Sequence, residues 1–314
     1  MKIIVLDGFT VNPGDNPWTP LERYGEVVVF DRSTAGEVLE RAPDGDILLT
    51  NKAVISGRII ERLPKLKLIC VLATGYDVVD VSAAQRRGIL VANVPSYGTD
   101  TVAQFVLAMM LELCLHIGDH AQSVKDGRWL TSRDWTYQIS PLIELNEKIL
   151  GIVGYGRIGR RVAELARTFG MQVLYSTRSP ELDSSENRSV ERLFAEADFI
   201  SLHCGLSAQN VGMVNKRLLG LAKPSAFLIN TARGGLIDEY ALAEALNSGR
   251  LAGAALDVLT TEPPRSNNPL LMASNCIITP HIAWASLAAR QRIMQTTTNS
   301  IEAFLRGRPI NLVC

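Results

Sequence analysis

Ile149-Leu150-Gly151-Ile152-Val153-Gly154-Tyr155-Gly156-Arg157-Ile158-Gly159 is the stretch whose reading decides the fold. Its first five residues have the apolar, β-branched character of a buried strand, and the glycines after them have G-x-G-x-x-G spacing. Beyond the glycines, Ile158, Val162, Leu165, Ala166 and Phe169 recur at helical intervals until Gly170 stops the helix. Strand, glycine turn and helix in this order suit the pyrophosphate of a dinucleotide. Gly154 makes the tight turn, Gly156 lets the backbone approach the phosphates, and Gly159 lets the helix pack on the strand. The helix N-terminus adds N–H donors and the positive end of its dipole. Glycines also occur in plain turns; the setting between a strand and an amphipathic helix favours the dinucleotide.

Downstream, apolar runs at 172–175, 199–203, 226–230, 253–257 and 276–279 alternate with helix-period segments. With 149–153 they predict a doubly wound parallel sheet, a Rossmann dinucleotide-binding domain over residues 99–285. Upstream, runs at 3–6, 27–30, 47–50, 68–72 and 89–92 predict a second, smaller α/β domain over 1–98, with a flavodoxin-like parallel sheet. The helical segment 286–306 follows the last strand and cannot extend its sheet, so it is expected to return to the first domain, which 286–314 completes. Thr101-Val102-Ala103-Gln104 has a capping-box pattern and predicts the start of an apolar helix running to Leu115. Residues 128–146, with two Trp, a Tyr and a Pro but no period, are either an arm packed on a partner subunit or an ordinary surface loop.

Composition agrees with two folded domains: 314 residues at ~150 per domain, 47% hydrophobic and 20% charged. Thirty-two Lys and Arg against thirty-two Asp and Glu give no field to attract a nucleic acid or an anionic membrane. Cys70, Cys114, Cys204, Cys276 and Cys314 form an odd set without a CxxC pair, which predicts reduced thiols in the cytoplasm and no metal centre. The N-terminus reaches Asp7 and Gly8 before any signal-peptide apolar region develops, and the apolar run 105–115 falls short of the ~20 residues that span a bilayer.

At the end of the second Rossmann strand, an NAD enzyme presents an acid to the ribose 2′-hydroxyl. Here the segment is Tyr175-Ser176-Thr177-Arg178, with no carboxylate. Arg178, helped by the hydroxyls of Ser176 and Thr177, suits a 2′-phosphate and favours NADP over NAD; Glu181 and Asp183 soften the local charge. Later strands end in Asn230-Thr231-Ala232-Arg233-Gly234-Gly235, in Asp257-Val258-Leu259-Thr260-Thr261-Glu262-Pro263, and in Ile278-Thr279-Pro280-His281-Ile282-Ala283. Ligands of open α/β sheets bind outside the carboxyl ends of strands, so Arg233, Glu262 and His281 point to one crevice. Each alone reads as a surface cation, a loop acid or a structural histidine. Together beside a dinucleotide turn they read as catalytic.

These motifs, with Asp7-Gly8-Phe9-Thr10, Asn12-Pro13-Gly14-Asp15 and His281-Ile282-Ala283-Trp284-Ala285, resemble the D-specific 2-hydroxyacid dehydrogenase family over essentially the whole chain, most closely its glycerate dehydrogenase or hydroxypyruvate reductase branch. The resemblance implies hydride transfer between a nicotinamide cofactor and a small 2-oxo or D-2-hydroxy acid, with hydroxypyruvate and glyoxylate as the expected oxo acids, in a homodimer. It gives His281 the role of general acid, Glu262 that of a partner favouring the protonated imidazole, and Arg233 that of carboxylate and carbonyl ligand. It also places Ala73-Thr74-Gly75 at the substrate carboxylate, Arg157 and Ile158 at the pyrophosphate, and Thr231, Ala232 and Asp257 at the nicotinamide end. Asp257 reads equally as a strand-end cap, and Ala73-Thr74-Gly75 equally as a plain glycine turn. The sequence departs from the family at Thr177, where NAD-using members carry an acid, and at Gly205, where a proline is frequent. Two rivals stay open: a dinucleotide-sensing interaction protein like the corepressors that share this fold, and a phosphoglycerate dehydrogenase, which would want basic residues near Ala73-Thr74-Gly75-Tyr76-Asp77.

Overall fold

The computed structural model describes residues 1–178 and 185–313; Glu181, Asp183 and Cys314 lie outside the described residues. The chain divides into two units, one formed by Met1–Gly98 with Ala285–Cys314 and the other by Thr99–Trp284. In the first unit, strands β1 (Lys2–Val5), β2 (Glu26–Val29), β3 (Ile47–Thr50), β4 (Leu68–Val71) and β5 (Leu90–Ala92) form a parallel sheet in the order β2-β1-β3-β4-β5. That is the flavodoxin-like order. Helices α1 (Thr19–Glu22), α2 (Ala35–Arg41), α3 (Gly57–Glu61) and α4 (Val81–Arg86) lie between the strands in sequence. Strands β3 and β4 are buried at every position, which is why Ile47-Leu48-Leu49 and Leu68-Ile69-Cys70-Val71 read as unbroken apolar runs.

The C-terminal helix, Leu287–Leu305, belongs to this first unit and is capped by Ser286, whose side chain accepts from the Ala289 N–H. Its buried Arg290 is paired with Asp15 and donates to the carbonyls of Val11 and Ala285. Ala285, placed in the second domain by the sequence reading, therefore falls with the first unit, where Arg290 holds its carbonyl.

In the second unit, strands β6 (Ile149–Val153), β7 (Gln172–Ser176), β8 (Phe199–Leu202), β9 (Phe227–Asn230), β10 (Gly253–Leu256) and β11 (Cys276–Ile278) are parallel in the order β7-β6-β8-β9-β10-β11. Successive strand residues face opposite sides, and each side has its own core. On one side Ile152, Ile229 and Ala255 meet Val106 and Met110 of α5 (Thr99–Leu115) and Val162 and Ala166 of α7 (Arg157–Thr168); α6 (Ile117–Lys125) follows α5. On the other side Val153, Leu228 and Ala254 meet Leu193 and Phe194 of α8 (Val190–Glu196), Leu218 of α9 (Lys216–Leu219) and Leu242 and Leu246 of α10 (Glu239–Asn247). The chain passes from β6 to β7 on one flank and returns to β8 on the other. The strand order thus reverses at the carboxyl ends of β6 and β8, where such folds bind ligands.

Helix α5 begins at Thr99, so Thr101 lies inside the helix and is not its cap. Asp100 occupies the first turn instead, where a carboxylate is favoured by the helix dipole. Among the described residues, no single helix is long and apolar enough to cross a membrane, and no group of His, Cys, Asp and Glu is placed to hold a metal ion.

Candidate active site

The three glycines of the turn are required for different reasons. Gly154 has φ +98°, and a Cβ on it would stand 2.6 Å from the Cys204 nitrogen, so the turn is pressed against the loop leaving β8. A Cβ on Gly159 would stand 2.4 Å from the Gly154 carbonyl oxygen. Around Gly156, by contrast, its chain neighbours aside, nothing among the described residues lies within 4 Å of a Cβ position. Gly156 is the N-cap of α7 and brings no side chain to that helix's leading N–H groups. Arg157 is exposed and Ile158 half-buried against the α5 side of the core. Further along the same sheet edge, the Thr231 hydroxyl is buried without a hydrogen-bond partner among the described residues. Open space over Gly156, a helix start with no side-chain cap and an orphaned hydroxyl together fit a dinucleotide along this edge.

At the end of β7, Ser176 and Thr177 are half-buried and Arg178 is exposed. The Ser176 carbonyl accepts the Gly154 N–H at 2.9 Å, which ties this segment to the glycine turn. Burial pushes the Cys204 thiol up, and the charge of Arg178 works against that rise. In that loop the Asn210 amide donates to the carbonyl of Gly205, the residue found where the family often has proline.

At the end of β9, the buried Asn230 clamps the following turn: its Oδ1 accepts from the Ala232 N–H at 3.0 Å and its Nδ2 donates to the Arg233 carbonyl at 2.9 Å. Thr231, Ala232 and Arg233 are half-buried, and Arg233 Nη1 also donates to the Ala232 carbonyl at 2.8 Å. Gly234 then packs on backbone of the loop after β10, where a Cβ would stand 1.9 Å from the Leu259 carbonyl carbon. That contact joins the Arg233 segment to the loop bearing Glu262.

Asp257, at the end of β10, is buried. It accepts from Thr279 Oγ1 at 2.7 Å and from the N–H groups of Ile282 and Ala283 at 2.8 Å each. Burial drives its carboxyl above the ordinary carboxylate range against these bonds. Asp257 thus caps the strand end and fixes the chain on both sides of His281, which adopts φ +54°, a left-handed value few non-glycine residues take. His281 Nδ1 meets Glu262 Oε2 at 2.6 Å, while Glu262 Oε1 accepts the Leu259 N–H at 3.0 Å. With Nδ1 committed to the carboxylate, Nε2 is the ring nitrogen left to exchange a proton with a ligand.

Glu262 and His281 are thus in direct contact, and Arg233 is linked to them through Gly234 and Leu259. Ala73, Thr74 and Gly75 lie in the first unit, just after β4. Their turn is fixed by Asn93, whose Nδ2 donates to the Thr74 carbonyl at 2.7 Å, and by Thr74 Oγ1, which donates to the Val94 carbonyl at 2.8 Å. The sequence reading overlooked the clamping role of Asn230. Its signal was a polar residue closing the otherwise apolar Phe227-Leu228-Ile229.

Residues 107–283 match the family described as D-isomer specific 2-hydroxyacid dehydrogenase, NAD binding domain. A hydroxypyruvate reductase of Blautia hydrogenotrophica is 46% identical over 320 aligned positions, covering 100% of this chain and 99% of that protein. Among solved structures, a protein of Thermus thermophilus superposes with a TM-score of 0.90 at 35% identity, over 100% of both chains. An acyclic imino acid reductase solved with NADPH and D-Arg superposes at 0.86 with 31% identity, again over 100% of both chains. A family match across the glycine turn and all three titratable strand ends, joined to relatives alike from end to end, makes this chain a member of the D-isomer-specific 2-hydroxyacid dehydrogenase family, a hydride-transferring oxidoreductase that uses a nicotinamide cofactor.

Proposed function

We propose that the enzyme reduces hydroxypyruvate to D-glycerate, and glyoxylate more slowly, with NADPH preferred over NADH. The observation that carries the chemistry is the 2.6 Å contact between Glu262 and His281, in a loop system shared with Arg233. The cofactor's stations follow the sheet edge from β7 to β10: Ser176, Thr177 and Arg178 for the adenosine ribose, Gly154, Gly156, Arg157, Ile158 and Gly159 for the pyrophosphate, then Thr231, Ala232 and Asp257 for the nicotinamide end. Four strand spacings of ~4.8 Å make this edge roughly 19 Å long.

The hydride comes from the reduced nicotinamide when it is bound. His281 gives its Nε2 proton to the carbonyl oxygen as that oxygen gains charge, and in the reverse direction takes it back. Glu262, facing Nδ1, stabilises the positive ring before transfer and fixes its orientation. Arg233 offers a permanently charged, planar fork to the substrate carboxylate and polarises the carbonyl.

NADPH preference rests on Arg178 and on the lack of a carboxylate in Ser176-Thr177-Arg178. A hydrogen bond to a charged group is worth ~1.5–3 kcal/mol, roughly a ten- to hundredfold preference, and solvent exposure pulls this to the lower end. Measuring kcat/KM for both cofactors with hydroxypyruvate tests it. Arg178→Ala should weaken NADPH use and leave NADH use nearly untouched; equal loss for both, or a wild-type preference for NADH, would reject it.

The reading includes a homodimer. Its support is the 128–146 segment, where Leu130 is 90% and Trp135 86% exposed. Cys70, Cys114, Cys204 and Cys276 are free thiols, which suits the cytoplasm. The rival reading as a dinucleotide-sensing interaction protein gains nothing from the relatives reported above, of which the one with the highest identity is named for a reductase.

A further inference from the structure

We propose that Glu239 is a positioning residue for catalysis: it clasps both ends of the loop that carries Glu262 and so sets the Glu262–His281 contact. The inference rests on the catalytic reading of that pair. Residues 260–267 are all exposed, so burial does not hold this loop in place. Glu239, the first residue of α10, reaches the loop with both carboxylate oxygens. Its Oε1 accepts the Thr260 N–H at 2.7 Å, and its Oε2 accepts from Asn268 Nδ2 at 2.9 Å. Thr260 and Asn268 are the two ends of the loop, with Glu262 between them. Asn268 is itself anchored, because its Oδ1 accepts the Leu270 N–H at 3.0 Å and so caps the short 3-10 helix Pro269–Met272.

Glu239 is also well placed to act as a fixed point. The preceding Asp238 caps α10 by accepting from the Tyr240 and Ala241 N–H groups at 3.1 Å each. A carboxylate in a helix's first turn is stabilised by the dipole, and hydrogen bonds to an ionised acceptor are the stronger kind. Upstream, the same segment runs back through Leu236 to Gly234, packed on Leu259, and to Arg233. One continuous piece of chain, residues 233–239, thus carries the substrate-binding arginine and grips the loop of the acid at Leu259, Thr260 and Asn268. Releasing the grip would let Glu262 drift from the imidazole while Arg233, held by Asn230, keeps its place.

Three variants of the full-length enzyme, assayed with hydroxypyruvate and NADPH, test this. Glu239→Ala should lower kcat about ten- to hundredfold, the cost of an ångström-scale misplacement, with KM for the oxo acid and cofactor affinity nearly unchanged. Glu239→Gln, which keeps an acceptor for Thr260, should recover part of the rate. Asn268→Asp keeps the cap on Leu270 but replaces the donor facing Glu239 by a carboxylate, and should reproduce the Glu239→Ala phenotype without depending on the stability of that variant. Wild-type kcat in both Glu239→Ala and Asn268→Asp, with His281→Ala inactive, would overturn the clasp alone. A fully active His281→Ala would overturn the catalytic reading and the clasp with it.

Discussion

Replacing Gly234 by Ala adds one methyl group, and the structure says where it must go. The new Cβ would lie 1.9 Å from the carbonyl carbon of Leu259, 2.2 Å from its oxygen and 2.4 Å from the Thr260 nitrogen, whereas real Cβ contacts essentially never fall under 3.0 Å. All three atoms are backbone, so no side chain can swing aside, and the two segments must separate by roughly 1 Å. Overpacking of this kind costs about 1–3 kcal/mol. For a unit of this size each kcal/mol lowers Tm by ~2–4 °C, which gives a drop of roughly 2–12 °C. The larger effect should be kinetic. The displaced backbone is that of Leu259, whose N–H holds Glu262, and ~1 Å of misplacement can cost about a hundredfold in rate. Thermal melting followed by circular dichroism reads the first effect, and steady-state oxidation of reduced cofactor reads the second. Binding of reduced cofactor, by its fluorescence, should change little. An Ala variant with wild-type Tm and kcat would show that Gly234 does not couple Arg233 to the Glu262 loop.

Gly156→Ala is the converse case: its Cβ enters open space, so Tm should stay at the wild-type value while Kd for the reduced cofactor rises about tenfold or more, ~1.4 kcal/mol or above; unaltered affinity would move the pyrophosphate away from this turn. Glu262→Gln keeps an acceptor for the Leu259 N–H but removes the charged partner of His281 Nδ1, so kcat should fall about tenfold or more while cofactor affinity holds; a wild-type kcat would contradict the pairing.

Much of the architecture was legible because parallel strands buried on both faces are written as short apolar runs, and each run in the sequence became a strand within a residue or two. The start of α5 was misread because Thr101 and Gln104 form a capping pair on paper, while the helix begins at Thr99 with Asp100 in its first turn. At the site, the strand-end positions of Arg233 and His281 and the family resemblance pointed to segments that the structure joins through Glu262 and Leu259. The contacts that organise it were not legible. Gly234 on Leu259, Glu239 on Thr260 and Asp257 on Ile282 and Ala283 each join segments more than twenty residues apart, with no period or spacing to announce them. His281's left-handed backbone has no sequence signal either; it follows from Asp257 gripping the residues on both sides of it.

Steady-state turnover of NADPH with hydroxypyruvate by the wild-type enzyme and by His281→Ala, side by side and with cofactor affinity recorded for both, tests the proposed chemistry most directly. The wild type should turn over steadily and yield D-glycerate. His281→Ala should lose ~10²–10⁴-fold in kcat while its affinity for NADPH stays at the wild-type value, because only the proton donor has been removed. Failure of the wild-type enzyme to consume reduced cofactor with hydroxypyruvate, or equal turnover by His281→Ala, would contradict it.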